Sequence, residues 1–167
     1  MLDTQPSTVA AAARQLRDAN SFLFLGRHVG YPVALEGALK LKEIAYTFTE
    51  GFAAGELKHG PIALVDEGEP VVFIVPPVRG RNVLHAKVIS GIEEVKARGA
   101  TIIAVAEEGD ADVERYADVV FWRPECPTLM SPLVDVVPLQ LLAMDMAKQK
   151  GYDVDKPRNL AKSVTVE

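Results

Sequence analysis

The sequence predicts an α/β protein: a three-layer αβα sandwich with a central parallel sheet of the flavodoxin-like kind. Two observations lead to this fold class. The strand-length runs at 22–25 and 71–75 are apolar at every position, which is typical of strands buried on both faces. Helical patterns separate such runs along the chain, and this alternation is typical of parallel sheets with helices on both faces. Because ligands bind beyond the carboxyl ends of these strands, we expect functional turns after Leu25, Val75 and Ala106.

The elements follow from local signals in chain order. Residues 6–19 are rich in alanine, and Ser7 or Thr8 is suited to cap this first helix. Pro32 lies near the start of the second helix, where proline is tolerated, and Gly99 ends the third. The predicted elements are helix 6–19, strand 22–25, helix 32–47, strand 71–75, helix 82–98, strand 101–106, strand 117–122 and helix 132–150.

Two stretches are predicted to be irregular. Residues 48–61 are dense in glycine and proline, so we expect a loop with at most one helical turn. The turn at 26–30 (GRHVG) follows the first strand, where backbone N–H groups are able to cradle a phosphate. It lacks hydroxyl side chains and the G-x-G-x-x-G spacing, so it is a weak phosphate site and an adequate strand-to-helix turn.

Composition limits the classes of function. With 167 residues, 49% apolar and 25% charged, the chain has the size of one domain with a real core. We expect this domain at 1–152 and a tail at 153–167. A net charge of −5 without a basic cluster argues against nucleic acid, and no apolar run or signal pattern suggests a membrane. Cys126 is the single cysteine, which excludes an internal disulfide and a cysteine-rich metal site, so we expect a cytoplasmic protein.

Three charged residues share one face of the second predicted helix. Glu36, Lys40 and Glu43 are spaced i, i+4, i+7, whereas Lys42 belongs to a neighbouring face and is predicted to point to solvent. One interpretation is a solvated ladder of ion pairs, worth a few tenths of a kcal/mol per pair. The other is a site in which Glu43 moves a proton between adjacent carbons and Lys40 sets its charge state.

Histidine and cysteine offer fewer candidates. His59 lies in the segment AGELKHGP (54–61), and histidine as a residue type is suited to proton transfer at neutral pH. The alternative is an ordinary exposed histidine, as we expect for His28 and His85. Cys126 has no nearby base or helix start to activate it, so it is interpreted as structural or incidental.

The last fifteen residues (DVDKPRNLAKSVTVE) lie beyond the last helical pattern. Tails of this kind usually fray, but the mixed character of this one indicates that it docks. A lysine that a docked tail brings into a pocket can lose solvation, lower its pKa and attack a carbonyl carbon. Lys162 is therefore a candidate nucleophile, and the alternative is a solvated surface lysine.

Four segments carry a resemblance to a known family. They are ALEGALKLKE (34–43), AAGELKHGPIAL (53–64), VPLQLLA (137–143) and DVDKPRNLAKSVTVE (153–167). Together they resemble the carboxyl-terminal part of the glutamine–fructose-6-phosphate aminotransferases, also called glucosamine-6-phosphate synthases. The resemblance extends from Phe22 onward and corresponds to the second of two sugar isomerase (SIS) domains in those enzymes.

The resemblance implies a role for each candidate. The isomerase half of these enzymes opens the sugar ring, forms a Schiff base at C2 and shifts a proton from C1 to C2. By position, Lys162 matches the Schiff-base lysine, Glu43 the proton-moving carboxylate, and His59 the ring-opening histidine, which reaches the site from the partner subunit. Glu36 and Lys40 match charged residues beside the substrate. No cofactor and no metal ion are implied.

The resemblance also implies partners. They are the sugar phosphates fructose 6-phosphate and glucosamine 6-phosphate, a second copy in a homodimer, and the glutaminase and first SIS domains, which this sequence lacks. We therefore expect a fragment that is inactive alone. Two other hypotheses remain: a non-catalytic SIS module that senses a phosphosugar, and a stand-alone phosphosugar isomerase, against which the missing hydroxyl-rich loop counts.

Overall fold

The computed structural model describes residues 6–79 and 82–160, which form five helices, five strands and two short 3-10 turns. The helices are α1 (Pro6–Leu16), α2 (Gly30–Ala45), α3 (Asn82–Lys96), α4 (Ala111–Tyr116) and α5 (Ser131–Gln149). The strands are β1 (Ser21–Gly26), β2 (Phe48–Ala53), β3 (Pro70–Ile74), β4 (Thr101–Glu107) and β5 (Val119–Arg123).

All five strands are parallel, in the order β2-β1-β3-β4-β5. Strand β1 lies between β2 and β3: it pairs with β2 from Ser21 opposite Phe48 and with β3 from Leu23 opposite Val71. This is the flavodoxin-like order, in which the direction of winding reverses between β1 and β3. The predicted α/β sandwich with a parallel sheet is confirmed.

Helices cover both faces of the sheet because side chains alternate along each strand. On one face, Phe22 and Phe24 of β1 pack in a core with residues of α1, α2 and α5. On the other, Leu23 and Leu25 pack in a second core with residues of α3 and α4. Each such side chain, when fully buried, contributes roughly 1.5–3 kcal/mol. Within the described ranges, no helix has the length and apolar character that crossing a bilayer requires.

The prediction of a loop at 48–61 is wrong for its first half, which is the edge strand β2. Its glycines misled the prediction. A Cβ on Gly51 would lie 2.8 Å from Leu35 Cδ2 and 3.1 Å from Leu35 Cα, so glycine here allows α2 to pack closely on the strand. The helical character expected in this stretch appears as the 3-10 turns Leu57–His59 and Pro61–Leu64.

Three smaller predictions also need correction. Ser7 and Thr8 lie within α1 and do not precede it. Helix α4 was not predicted, because its six residues are too few for a periodic signal; Asp110 caps it by accepting a hydrogen bond from the Val113 N–H. His85 is not exposed: it is buried on α3, with Nε2 2.7 Å from Asp110 Oδ2.

The turn between β1 and α2 is closed by its own backbone. The Gly30 and Tyr31 N–H groups donate to the carbonyls of Arg27 and His28, at 2.9 and 3.1 Å. A Cβ on Gly26 would lie 2.1 Å from the Gly30 carbonyl oxygen, so the turn is too tight for any other residue there. Two N–H groups at the end of the turn are thus occupied by its own carbonyls, in keeping with its interpretation as a strand-to-helix connection.

Candidate active site

Helix α2 brings Glu36, Lys40 and Glu43 together on one face, as the spacing predicts. Lys40 Nζ lies 2.6 Å from Glu43 Oε2 and 3.6 Å from Glu36 Oε1. The side chains of Lys40 and Glu43 are 30% and 28% exposed, so water only partly screens the closer pair. Lys42 is exposed, which confirms that it points to solvent.

The environment of Lys40 keeps it protonated. Its hydrogen bond to Glu43 raises the pKa of Lys40 above the ordinary value of a lysine, and the charges of Glu36 and Glu43 add to this effect against the opposing effect of burial. A lysine held as an ammonium cannot attack a carbonyl carbon. Lys40 is therefore suited to an electrostatic role beside Glu43.

Glu43 lines a groove of about 580 Å³ at the amino-terminal edge of the sheet. The 16 residues of α2 carry the chain back from the carboxyl edge over about 24 Å. The groove is lined by Leu39, Lys42, Glu43, Tyr46, Thr47, Phe48, Arg158, Asn159 and Leu160. Glu43 thus lies at the edge opposite the one where ligands of such sheets are expected, because it sits near the last turn of a helix that runs antiparallel to the strands.

The described part of the tail returns to this groove and contacts Tyr46. The Arg158 N–H donates to Tyr46 Oη at 2.8 Å, and the Arg158 guanidinium carbon lies 4.0 Å from the centroid of the Tyr46 ring. The Tyr152 ring lies beside Tyr46 with 4.7 Å between centroids. Val154 packs against the core beneath. No local sequence pattern marks Tyr46, since its partners are more than a hundred residues away.

Tyr46 has an unusual backbone conformation for its residue type. It is the residue that ends α2, with φ 54° and ψ 33°, which is the left-handed region. Glycine usually occupies this position at the end of a helix, and for a bulky residue the conformation costs roughly 1–3 kcal/mol.

Lys162 lies outside the described residues. The last described residue, Leu160, lines the same groove as Glu43. The chain therefore reaches the edge of this groove two residues before Lys162.

His59 is not brought to Glu43 within this chain. It is exposed, in the 3-10 turn that follows the carboxyl end of β2, whereas the groove begins at Phe48, the first residue of β2. A six-residue strand separates its ends by about 17–20 Å. The neighbouring Lys58 holds the turn against α3 through a 2.7 Å ion pair with Glu94.

A buried ionic cluster at the carboxyl edge was not predicted. Arg123 is 0% exposed; its Nε lies 2.6 Å from Oδ1 of Asp135, which is 2% exposed, and its Nη1 lies 3.1 Å from Glu107 Oε2. Burial raises the pKa of Asp135 to about 6, against the opposing charge of Arg123 and a hydrogen bond with Ser131. The same neighbourhood contains Cys126, whose thiol pKa burial raises, in keeping with its interpretation as a structural residue.

A second cluster has the donors of a metal site but serves the fold. Ligand atoms of His85, Asp110 and Asp112 lie within 4.8 Å of one another. Both carboxylate oxygens of Asp110 are engaged, one by His85 and one by the Val113 N–H. Burial works to raise the pKa of Asp110, but the hydrogen bond and charge of His85 outweigh it and lower that pKa. The cluster therefore fastens α3 to the start of α4.

Comparison with known proteins identifies the family. The model of the SIS domain matches residues 15–148, most of the chain and all five strands. The chain belongs to the SIS domain family. Among solved structures, the C-terminal domain of glucosamine-fructose-6-phosphate aminotransferase from Francisella tularensis is similar to this SIS domain, with a TM-score of 0.80 and 37% identity over 90% of this chain and 42% of that one.

Two further proteins are similar to this SIS domain. The glutamine–fructose-6-phosphate aminotransferase (isomerizing) of Corynebacterium diphtheriae is 64% identical over 100% of this chain. The chain spans 27% of the length of that curated relative. Glucosamine-6-phosphate deaminase from Thermotoga maritima matches with a TM-score of 0.71 and 29% identity, over 96% of this chain and 46% of that one. The predicted resemblance to the aminotransferases is confirmed.

Proposed function

We propose that this SIS domain is the carboxyl-terminal isomerase unit of a glutamine–fructose-6-phosphate aminotransferase, acting in the synthesis of glucosamine 6-phosphate. The proposal assigns catalysis to Glu43, His59 and Lys162, and contacts beside the substrate to Glu36 and Lys40. It needs no cofactor and no metal ion. The 64% identity to an enzyme of this name supports the assignment.

The observation that carries the proposal is that Glu43 and the tail share one groove. Leu160 lines it together with Glu43, and Lys162 follows two residues later. Two residues of extended chain span at most about 7 Å. The length of the intervening chain therefore allows Lys162 to reach the groove, where a carboxylate is available and where Lys40 is held as an ammonium.

The proposed chemistry uses each group once. The Lys162 amine adds to C2 of the open-chain ketose, and the carbonyl oxygen leaves as water. Ammonia then displaces the lysine from C2, which frees the Lys162 amine and leaves an imine of the sugar at C2. This imine draws electrons from the C1–H bond, so the Glu43 carboxylate can take the C1 proton and return it at C2, which leaves an amine on C2 and a carbonyl at C1. The Lys40 ammonium, 2.6 Å from Glu43, holds that carboxylate on the helix face.

His59 would act from a second copy of the chain. Its distance from Glu43 along β2 supports a homodimer in which each site combines Glu43 and Lys162 of one subunit with His59 of the other. Transfer of a proton to or from the ring oxygen opens the sugar, and imidazole is suited to this at neutral pH. We propose the cytoplasm as the location of this dimer.

Other parts of such an enzyme would complete the reaction. A glutaminase domain would supply ammonia, and a first SIS domain would hold the phosphate, for which this chain has no hydroxyl-rich turn. We therefore expect the 167-residue chain alone neither to use glutamine nor to convert fructose 6-phosphate efficiently. Substantial isomerisation by this chain alone would contradict the assignment of the phosphate site elsewhere.

The test is to trap the Schiff base in a full-length enzyme containing this domain. Borohydride reduction with fructose 6-phosphate, followed by peptide mapping, should place the hexitol adduct on Lys162. Lys162→Ala should abolish the adduct, and Lys87→Ala, which removes an exposed lysine of α3 away from the groove, should leave it. Binding of fructose 6-phosphate without any adduct on Lys162 would overturn the proposal in favour of a non-catalytic sensor.

A further inference from the structure

We propose that Tyr46 is a positioning residue for the reaction: its side chain fastens the described part of the tail, which precedes Lys162, beside the groove that contains Glu43. This inference rests on the proposed function, because it gives Lys162 the role of the nucleophile. Tyr46 itself is not assigned contact with the sugar.

Tyr46 holds the tail from two sides. Its hydroxyl oxygen accepts the Arg158 N–H at 2.8 Å, while the Arg158 guanidinium lies over its ring at 4.0 Å. Tyr152, where the tail leaves α5, packs on the same ring at 4.7 Å. The tail is thus fastened both where it starts and four residues before Lys162.

Arg158 depends on Tyr46 for this contact. Within 6–79 and 82–160, no carboxylate lies within 4.0 Å of the Arg158 guanidinium, so the ring is its charge partner there. Next to Tyr46, Thr47 is buried and its hydroxyl accepts a 2.7 Å hydrogen bond from Lys150 Nζ near the end of α5. This bond ties the ends of α2 and α5 together, so the surface that receives the tail is supported from below.

The backbone indicates that the side chain, and not the conformation, explains tyrosine at this position. With φ 54° and ψ 33°, glycine would fit better, yet glycine would lose the hydroxyl, the ring and the contact with Tyr152. A residue that adopts a backbone conformation unfavourable for its type is expected where its side chain makes contacts that offset the cost. The left-handed conformation also allows a positioning role to be distinguished from a structural one. Tyr46→Gly removes the backbone strain at this position and, at the same time, the side-chain contacts that hold the tail.

The test compares Tyr46→Gly and Arg158→Ala with wild type in a full-length enzyme containing this domain. The readouts are the rate at which borohydride traps fructose 6-phosphate on Lys162, the glutaminase rate, and the thermal unfolding midpoint. Both variants should lower the trapping rate on the order of 10–100-fold, since small misplacements of a reacting group have effects of that size. The glutaminase rate should be unchanged, and Tyr46→Gly should unfold no earlier than wild type.

Two further variants sharpen the test. Tyr46→Phe keeps the ring contacts and loses the acceptor for the Arg158 N–H, so its trapping rate should fall between those of wild type and Tyr46→Gly. The matched control is Arg115→Ala, which removes a similar stacking of arginine on tyrosine, at 5.2 Å from the Tyr116 ring on α4, and should trap at the wild-type rate.

The outcomes separate the two proposals. If wild type is labelled at Lys162 and Tyr46→Gly is labelled equally fast, the positioning role is refuted and the proposed function stands. If wild type itself is not labelled at Lys162, the proposed function fails and the role of Tyr46 in it fails with it. If Tyr46→Gly unfolds at a lower temperature than wild type and the loss of folded enzyme accounts for the whole fall in its trapping rate, Tyr46 is a structural residue. That result would also refute the inference.

Discussion

Glu43 and His59 lie at opposite edges of the same sheet, separated by the length of β2. If both serve one reaction, they must come from different copies of the chain. We therefore predict that full-length enzyme carrying Glu43→Gln and enzyme carrying His59→Ala, each inactive as an isomerase, regain activity when mixed and allowed to exchange subunits. Each mixed dimer contains one site with both native residues.

The double variant is the control for this mixing experiment. In a heterodimer of wild type with a chain carrying both Glu43→Gln and His59→Ala, each site pairs one native residue with one replaced residue, so this mixture should lose activity below the level that dilution alone gives. No recovery in the first mixture, despite demonstrated subunit exchange, would mean that His59 acts within its own subunit or not at all.

The carboxylate of Glu43 should be needed for proton transfer and not for binding. Replacing it in Glu43→Gln keeps the size and the contact with Lys40 but removes the base. We expect the isomerase kcat of a full-length enzyme to fall on the order of 10²–10⁴-fold with little change in KM for fructose 6-phosphate. Steady-state kinetics measures both constants. Glu50→Gln, an exposed carboxylate on β2, should change neither, and a rise in KM alone for Glu43→Gln would indicate a binding role.

The buried pair of Arg123 and Asp135 should make stability depend on pH. Because the folded-state pKa of Asp135 is raised from 3.8 to about 6, the folded chain holds a proton between these values that the unfolded chain releases. The free energy of unfolding of wild type, relative to Asp135→Asn, should therefore decrease as pH rises from about 4 to about 6, by up to roughly 3 kcal/mol.

Urea unfolding at several pH values measures this difference. The Asp135→Asn chain is the baseline, since it retains every other carboxylate, including Glu107 beside Arg123. A difference that stays constant from pH 4 to pH 6 would show that Asp135 is ionised throughout, and a difference that grows with pH would reverse the assigned sign.

Two glycines should respond oppositely to alanine. A Cβ on Gly26 would meet the Gly30 backbone at 2.1 Å, so Gly26→Ala should destabilise the chain by about 1–3 kcal/mol. In Gly91→Ala, the new Cβ lies 3.7 Å from Phe73 Cε1 inside α3, so helix propensity should stabilise the chain by about 0.5–1 kcal/mol. Urea unfolding of both variants provides the comparison. If both variants changed the free energy of unfolding by the same amount and in the same direction, the close approach of Gly26 to the Gly30 backbone would be contradicted.

The features that could be predicted from the sequence are those set by periodicity. Apolar runs predicted four of the five strands, and the spacing of Glu36, Lys40 and Glu43 predicted their common face, because backbone geometry alone decides both. The segment around His59 was correctly expected to be exposed, since polar residues and glycine surround it.

The remaining features depend on contacts between distant residues. Strand β2 has one exposed edge and a glycine pressed against Leu35, so it lacks the apolar run that marks a buried strand. The pairing of Arg123 with Asp135 and the docking of Arg158 on Tyr46 each join separate elements. No local sequence pattern predicts such pairs, because each residue taken alone resembles an ordinary surface residue.

The separation of Glu43 from His59 has a consequence for how such an enzyme would respond to its own concentration. A site assembled from two copies exists only in the associated fraction, so its activity follows the law of mass action. Diluting the enzyme below the dissociation constant of the dimer would switch off isomerisation in chains that remain fully folded. The specific activity of a full-length enzyme would then rise with enzyme concentration until the dimer is saturated.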